Sequence, residues 1–174
     1  DEKEAVKWYR KAADQGDAMA QFNLGWIYTN GRGIPKDDKE AVKWYRKAAD
    51  QGDADAQFNL ALMYRNGKGV PADHKEAVKW HLLAADQGYA KAQFNLGSMY
   101  EDGEGVPTDD KEAVKWYRKA ADQGYASAQY MLGLSYAIGI VVPKDNLLAY
   151  MWLNIAGANG DDVEENMGII SGNM

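Results

Sequence analysis

A 36-residue internal repeat constrains the fold of this chain more strongly than any other feature of its sequence. The segment KEAVKWYRKAADQG occurs unchanged at residues 3–16, 39–52 and 111–124, and residues 75–88 depart from it at only three positions. A second block, A-x-A-Q-x-x-L-x-x-x-Y, alternates with these copies. Its closing tyrosines are Tyr28, Tyr64, Tyr100 and Tyr136. Two amphipathic blocks in a period of this length predict helical hairpins that stack in a linear array.

Each block carries the signals of one helix. On a helical wheel, the apolar side chains of residues 38–51 fall on one arc and the lysines fall on the opposite side. Asp37 and Glu40 have the spacing of a capping box, which marks the start of this second-type helix. The first-type helix is predicted over residues 17–30. The G-x-G-[IV]-P sequence that follows predicts a tight turn, and we expect the apolar residue before each proline to close the hairpin end.

Composition narrows the function classes. The chain has 174 residues, no cysteine and a formal net charge of −6. The lack of cysteine excludes disulfides and thiol nucleophiles, and no apolar run approaches the roughly 20 residues of a membrane span. The acidic balance argues against a nucleic-acid partner. Because identical polar residues at a fixed pitch do not converge on one centre, we predict that the protein is not an enzyme and holds no cofactor or metal.

The alternation of A-x-A-Q-x-x-L-G-x-x-Y-x-x-G-x-G with A-x-x-W-Y-x-K-A-A-x-Q-G resembles the Sel1-like repeat family, a relative of the tetratricopeptide repeat. The resemblance covers nearly all of residues 1–160. It implies an all-α fold, a right-handed superhelical α/α solenoid of helix-turn-helix repeats. It also implies an adaptor or scaffold that binds another protein. For a soluble bacterial protein of this kind, the compartment stays open between the periplasm or secretion and the cytoplasm.

The repeat boundaries follow from this register. We expect a single solenoid over residues 1–160, which comprises a second-type helix at 1–15 and full repeats at 17–51, 53–87, 89–123 and 125–159. Residues 161–174 lack the repeat signature, and we expect them to be a degenerate C-terminal segment. Because neither end shows a polar capping helix, the sequence favours a chain that is truncated at both ends.

One face of the first-type helices is the candidate binding surface. By analogy with tetratricopeptide repeats, we expect this face to line a concave groove that holds an extended partner segment. The predicted groove residues are Met19, Phe22, Asn23, Trp26, Asp55, Phe58, Asn59, Leu62, Arg65, Lys91, Phe94, Asn95, Ser98, Glu101, Tyr130, Leu134 and Ile138. The asparagines offer amide donors and acceptors to a peptide backbone, but recurrent Phe and Asn also suit a purely structural role in the repeat.

Three functions remain open on the sequence alone. A protein-binding scaffold is favoured by the family resemblance and by the variable groove positions. A glycan or peptidoglycan binder is the alternative that Trp26 would serve. A structural spacer or oligomerisation arm is the third, because Leu134, Ile138 and Ile140 make the fourth repeat unusually apolar and suit self-association. Elsewhere, Leu82 and Leu83 suggest a contact on the opposite face, and His81 is expected to be a packed side chain.

Overall fold

The computed structural model describes residues 2–160, which form nine α-helices and no strand. The helices are α1 (Glu2–Asp14), α2 (Ala18–Asn30), α3 (Asp38–Asp50), α4 (Ala54–Asn66), α5 (His74–Asp86), α6 (Ala90–Asp102), α7 (Asp110–Asp122), α8 (Ala126–Ile138) and α9 (Asn146–Ala158). The predicted all-α repeat of helical hairpins is therefore confirmed. The predicted degenerate segment 161–174 lies outside the described residues.

The described residues fall into two compact units, one with α1–α5 up to Gln87 and one with α6–α9 from Gly88. Within each unit, every helix packs against the next one along the chain. Even-numbered helices are of the first type and odd-numbered helices are of the second type. The assignment of residues 1–160 to a single solenoid stays a prediction.

Local signals fix the helix ends where the sequence places them. The Asp37 carboxylate accepts hydrogen bonds from the backbone N–H groups of Lys39 and Glu40, both at 3.0 Å, and so caps the start of α3. This satisfies donors that have no partner within the helix. At the other end of the hairpin, Ile34 and Val70 pack against the neighbouring core clusters, as expected for residues that close it.

Within each unit, a buried glutamine ties a first-type helix to its two second-type neighbours. In α2, the Gln21 Nε2 donates to the carbonyl of Ala13 at 3.0 Å, and its Oε1 accepts from Gln51 Nε2 at 2.7 Å. Ala13 lies in the last turn of α1, and Gln51 ends α3. One buried amide therefore holds the C-terminal ends of two helices together. The sequence placed Gln21 on the core side of α2 but did not reveal this pairing.

The same amide clamp recurs in both units. In the first unit, Gln57 repeats it with the Ala49 carbonyl at 3.2 Å and the Gln87 side chain at 2.7 Å. In the second, Gln129 donates to the Ala121 carbonyl at 3.1 Å and accepts from the Asn159 amide at 2.9 Å. The glutamines of the first-type helices, Gln21, Gln57 and Gln129, are nearly inaccessible to water. A buried polar group is tolerated only when it is paired. Because these amides are paired only in one alignment of the three helices, they specify how the helices pack.

Loss of the Gln57 amide should be costly. Gln57→Leu leaves the Ala49 carbonyl and the Gln87 amide without their partner, and we expect the free energy of unfolding to fall by about 2 kcal/mol. Urea titration followed by circular dichroism measures this. The matched control is Gln15→Leu, because Gln15 occupies the position of Gln87 at the end of α1 and is exposed. Its cost should stay within about 0.5 kcal/mol, and equal costs for the two variants would contradict the clamp.

Candidate functional site

Within each unit, the predicted groove residues lie on one side of the first-type helices, and each keeps some exposed surface. We call this side the groove face. In the first unit, Met19, Trp26 and Asp55 are exposed, whereas Phe22, Asn23, Phe58, Asn59, Leu62 and Arg65 are half-buried. In the second unit, Lys91, Glu101 and Ile138 are exposed, whereas Phe94, Asn95, Ser98, Tyr130 and Leu134 are half-buried.

The phenylalanines of the groove face are anchored in the core on one side. The ring of Phe22 lies 5.9 Å from the ring of Tyr45, and Phe58 lies 5.6 Å from the ring of His81. These tilted contacts are of the favourable aromatic type. Each phenylalanine therefore serves the repeat structure and the exposed surface together. His81 is fully buried, which confirms the expectation of a packed side chain.

Glycine at one groove-helix position lets the tyrosine of the next helix approach. A Cβ atom on Gly25 would lie 2.5 Å from the Tyr45 ring, which is far too close. In the next repeat the corresponding residues are Ala61 and His81. Alanine, which is larger than glycine, is thus combined with histidine, whose ring is smaller than that of tyrosine. The two positions are complementary in size. The ring that fits against the small residue also contacts the phenylalanine of the groove face.

The exchange of this pair is a direct test. Gly25→Ala would normally favour a helix, but here it should lower the free energy of unfolding by about 1–3 kcal/mol, because the core is overpacked. Combining it with Tyr45→His reproduces the natural Ala61 and His81 combination. We therefore expect the double variant to be more stable than the sum of the single effects, by at least about 0.5 kcal/mol in a denaturant double-mutant cycle. Additive effects would show that the two positions are independent.

The asparagine row is partly committed to its own helix. The Asn59 Nδ2 donates to the backbone carbonyl of Asp55 at 2.7 Å, one turn earlier in α4. An asparagine amide has a second N–H and an oxygen acceptor besides this donor. The hydrogen bond orients the amide along the helix, which restricts its rotamers before a ligand arrives.

A cleft opens in the first unit where α1 meets the groove face. It measures about 190 Å³ and is lined by polar and aromatic side chains, among them Glu2, Tyr9, Asn23, Trp26 and Arg32. The Arg32 guanidinium lies 5.0 Å from the centre of the Trp26 ring, a cation–π contact. We call this the α1–α2 cleft. It presents both an acidic and a basic side chain to a ligand.

The repeat-equivalent cleft in the second unit has a different chemistry. It measures about 110 Å³ and lies between α7 and α8. Its lining includes Met131, Leu134 and Ile140, at the positions that Asn23, Trp26 and Arg32 occupy in the first cleft. We call it the α7–α8 cleft. Sequence reasoning found its apolar residues but not that they enclose a cleft.

A buried phenol holds one acidic group of the α7–α8 cleft. The Tyr117 O–H donates to Glu101 Oε2 at 2.6 Å, and both residues line the cleft. Burial, together with the hydrogen bond and the negative charge of Glu101, raises the pKa of Tyr117 well above its usual value. The phenol therefore stays protonated at neutral pH and remains the donor.

The turn beside the α7–α8 cleft is strained. Val141 has a φ of 64°, a left-handed conformation that is unfavourable for a β-branched residue. The corresponding residue in the first repeat is Gly33, with a φ of 71°. The Val142 N–H donates to the Ile140 carbonyl at 2.7 Å and closes a three-residue turn around Val141. This turn places Ile140 on the cleft wall.

Relief of this strain should stabilise the protein. Val141→Gly is expected to raise the free energy of unfolding by about 1 kcal/mol, since the left-handed strain exceeds the entropy cost of glycine. The reverse exchange, Gly33→Val, should lower it by about 2 kcal/mol, because a Cβ there would lie 2.9 Å from the Glu2 side chain. Thermal and urea unfolding measure both. A destabilised Val141→Gly variant would contradict the assignment of strain.

A second apolar surface escaped the sequence reasoning. Leu147, Met151 and Ile155 are exposed along one side of α9. In α3 the same positions hold Lys39, Lys43 and Lys47, which face solvent. The signal was present in the sequence as the replacement of three lysines in register. Leu82 and Leu83 are also exposed, as their place in the lysine pattern indicated.

Within 2–160, no group of three or more His, Asp and Glu side chains is arranged to hold a metal ion. Over the same range, no helix combines the length and the apolar character needed to cross a bilayer.

Comparison with known proteins supports the repeat assignment. A family model of the Sel1 repeat matches residues 1–17, 18–53, 54–89, 90–125 and 126–161. A Sel1 repeat protein from Oxalobacter formigenes is 43% identical, with a TM-score of 0.86 over 92% of this chain and 66% of that one. The protein c5321, a protective antigen of uropathogenic Escherichia coli strains, is 42% identical, with a TM-score of 0.87 over 90% of this chain and 33% of that one.

A more distant likeness involves the immunity protein PA5088 from Pseudomonas aeruginosa. It is 27% identical, with a TM-score of 0.56 over 90% of this chain and 56% of that one. The chain thus spans less than two thirds of the length of each of these three proteins. A comparison with curated proteins gave no match.

Proposed function

Because the chain belongs to the Sel1 repeat family, whose members typically mediate protein–protein interactions, we propose that it is a non-catalytic scaffold that binds an extended segment of a partner protein along its groove face. The family fold is generally a scaffold rather than a catalyst. The proposal concerns which surface of this chain takes the partner and which side chains decide its affinity.

One observation carries the proposal: accessible positions on the groove face vary between repeats while the buried clamp glutamine does not. The framework glutamine is present in every first-type helix and is buried in all of them. By contrast, the exposed positions Met19 and Asp55 differ, as do the accessible side chains Trp26 and Leu62. A fixed frame that presents variable side chains suits a recognition surface.

The groove face offers both types of contact that a peptide needs. Phe22 and Phe58 are held by the aromatic rings beneath them, so little side-chain entropy is lost when a partner covers them. Beside each lies an asparagine amide, which can pair with an extended backbone. Trp26 is partly exposed at the end of this face and is the kind of residue that dominates binding energy at interfaces.

A peptide selection tests the proposal on the intact chain. Random dodecapeptides displayed on phage are selected for binding to the chain. The affinity of the selected peptides, labelled with a fluorophore, is then measured by fluorescence anisotropy. Trp26→Ser with Leu62→Ser alters the groove face, and both substitutions introduce the residue that the third repeat carries naturally at Ser98. We expect this double variant to bind the selected peptides at least about tenfold more weakly.

The matched control lies on the opposite face of the same unit. Lys39→Ser with Lys43→Ser changes two exposed lysines of α3, and it should leave the affinity unchanged. Equal losses in both double variants would mean that the peptides do not use the groove face. Selection of no peptide that depends on Trp26 or Leu62 would overturn the proposal. Competition by soluble peptidoglycan fragments, but not by peptides, would favour the glycan alternative.

A further inference from the structure

The α7–α8 cleft presents more apolar surface than a framework role requires. Its lining residues Ile138 and Ile140 are 63% and 45% exposed, and Val141 in the adjacent turn is 43% exposed. The first repeat carries Asn30, Arg32 and Gly33 at these positions. The repeat fold therefore accepts polar or small residues at these positions. The aliphatic residues of the fourth repeat are not needed for packing. Clustered exposed apolar side chains mark interaction sites.

The charges that line this cleft are all of one sign. Glu101 and Asp110 are its charged lining residues, and both are acidic. The α1–α2 cleft differs because it presents Glu2 together with Arg32. An apolar cleft with an acidic border is complementary to an aliphatic side chain that is followed or preceded by a basic one.

The size of the cleft limits what it can hold. It measures about 110 Å³. An apolar cavity of about 150 Å³ accommodates benzene, so this cleft suits one aliphatic side chain of the size of leucine or isoleucine. The strained turn at Val141 holds Ile140 on the cleft wall and so preforms that wall before binding.

We propose that the α7–α8 cleft binds one aliphatic side chain of a partner segment, with an adjacent lysine or arginine of that segment facing Glu101 and Asp110. The inference rests on the proposed function, because it names the residue type that the second unit selects in the bound segment. It assigns the specificity of this unit to Met131, Leu134 and Ile140, in place of the Asn23, Trp26 and Arg32 of the first unit.

Titration of the intact, ¹⁵N-labelled chain with defined peptides tests the inference. Binding is monitored by ¹H–¹⁵N correlation NMR spectra. The probe is acetyl-Gly-Ser-Leu-Lys-Gly-Ser-amide, and its two controls carry Ser in place of Leu or Glu in place of Lys. We expect saturable shifts of the amides at residues 131–141, with a dissociation constant of about 1 mM or below. Each control peptide should bind at least about tenfold more weakly.

The matched variants come from the chain itself. Ile138→Asn with Ile140→Arg introduces the Asn30 and Arg32 of the first repeat, so the fold is expected to tolerate it, and binding of the probe should be lost. Leu147→Lys introduces the residue that α3 carries at Lys39, removes apolar surface from α9, and should leave binding unchanged. Unaltered binding by the first variant, equal binding of the Lys and Glu peptides, or no saturable shift would overturn the inference.

Two further outcomes would also count against it. Shifts confined to the α1–α2 cleft would locate the peptide in the other unit. Shifts of residues 134–140 that depend on protein concentration without peptide would mean that a second copy fills the cleft. Because the groove-face variant alters only the first unit and the cleft variant alters only the second, failure here is distinguishable from failure of the proposed scaffold function.

Discussion

The buried amide of each first-type helix is the interaction on which the repeat structure depends. Apolar burial between alanine-rich helices is not directional, so on its own it specifies the alignment of the helices less sharply than a hydrogen bond does. A buried amide fixes the alignment, since any change of register would leave it unpaired at a cost of about 1–3 kcal/mol. Gln21 and Gln57 meet this demand with a carbonyl on one side and a side-chain amide on the other. The alignment of the helices that these amides fix also determines the spacing of the side chains on the groove face.

Size complementarity works together with this polar register. The absence of a side chain at Gly25 lets the Tyr45 ring lie under α2, and that ring supports Phe22 from below. Phe22 therefore contacts the buried Tyr45 ring on one side and is accessible to solvent on the other. This explains why one residue can belong both to the framework and to the candidate binding surface. A structural role for the phenylalanine row and a role in binding do not compete.

The sequence predicted much of the fold because its signals are local and repeated. Asp37 marks a helix start through its own cap, and Ile34 marks a hairpin end through the proline that follows it. The glutamine clamp could not be predicted in the same way, because a helical wheel gives the side of a residue but not its partners in two other helices. The left-handed backbone at Val141 was also missed, because valine does not normally adopt it; the only signal was its alignment with Gly33 in the repeat register. The clefts depend on the spacing between helices, which periodicity leaves undetermined.

The fourth repeat departs from the others mainly on its surfaces and keeps two features of its framework. Gln129 keeps the buried amide clamp, and Gly133 keeps the close approach, here to Leu153. On the surface, Met131 replaces the asparagine of the groove face and Leu147 replaces a lysine of α9. Random decay of a terminal repeat would remove framework and surface residues alike. Here one buried ring is exchanged, since Leu153 stands where the first repeat has Tyr45, yet the clamp is intact. Apolar replacement at accessible positions beside an intact clamp is instead what a repeat adapted to bind at its surface would show.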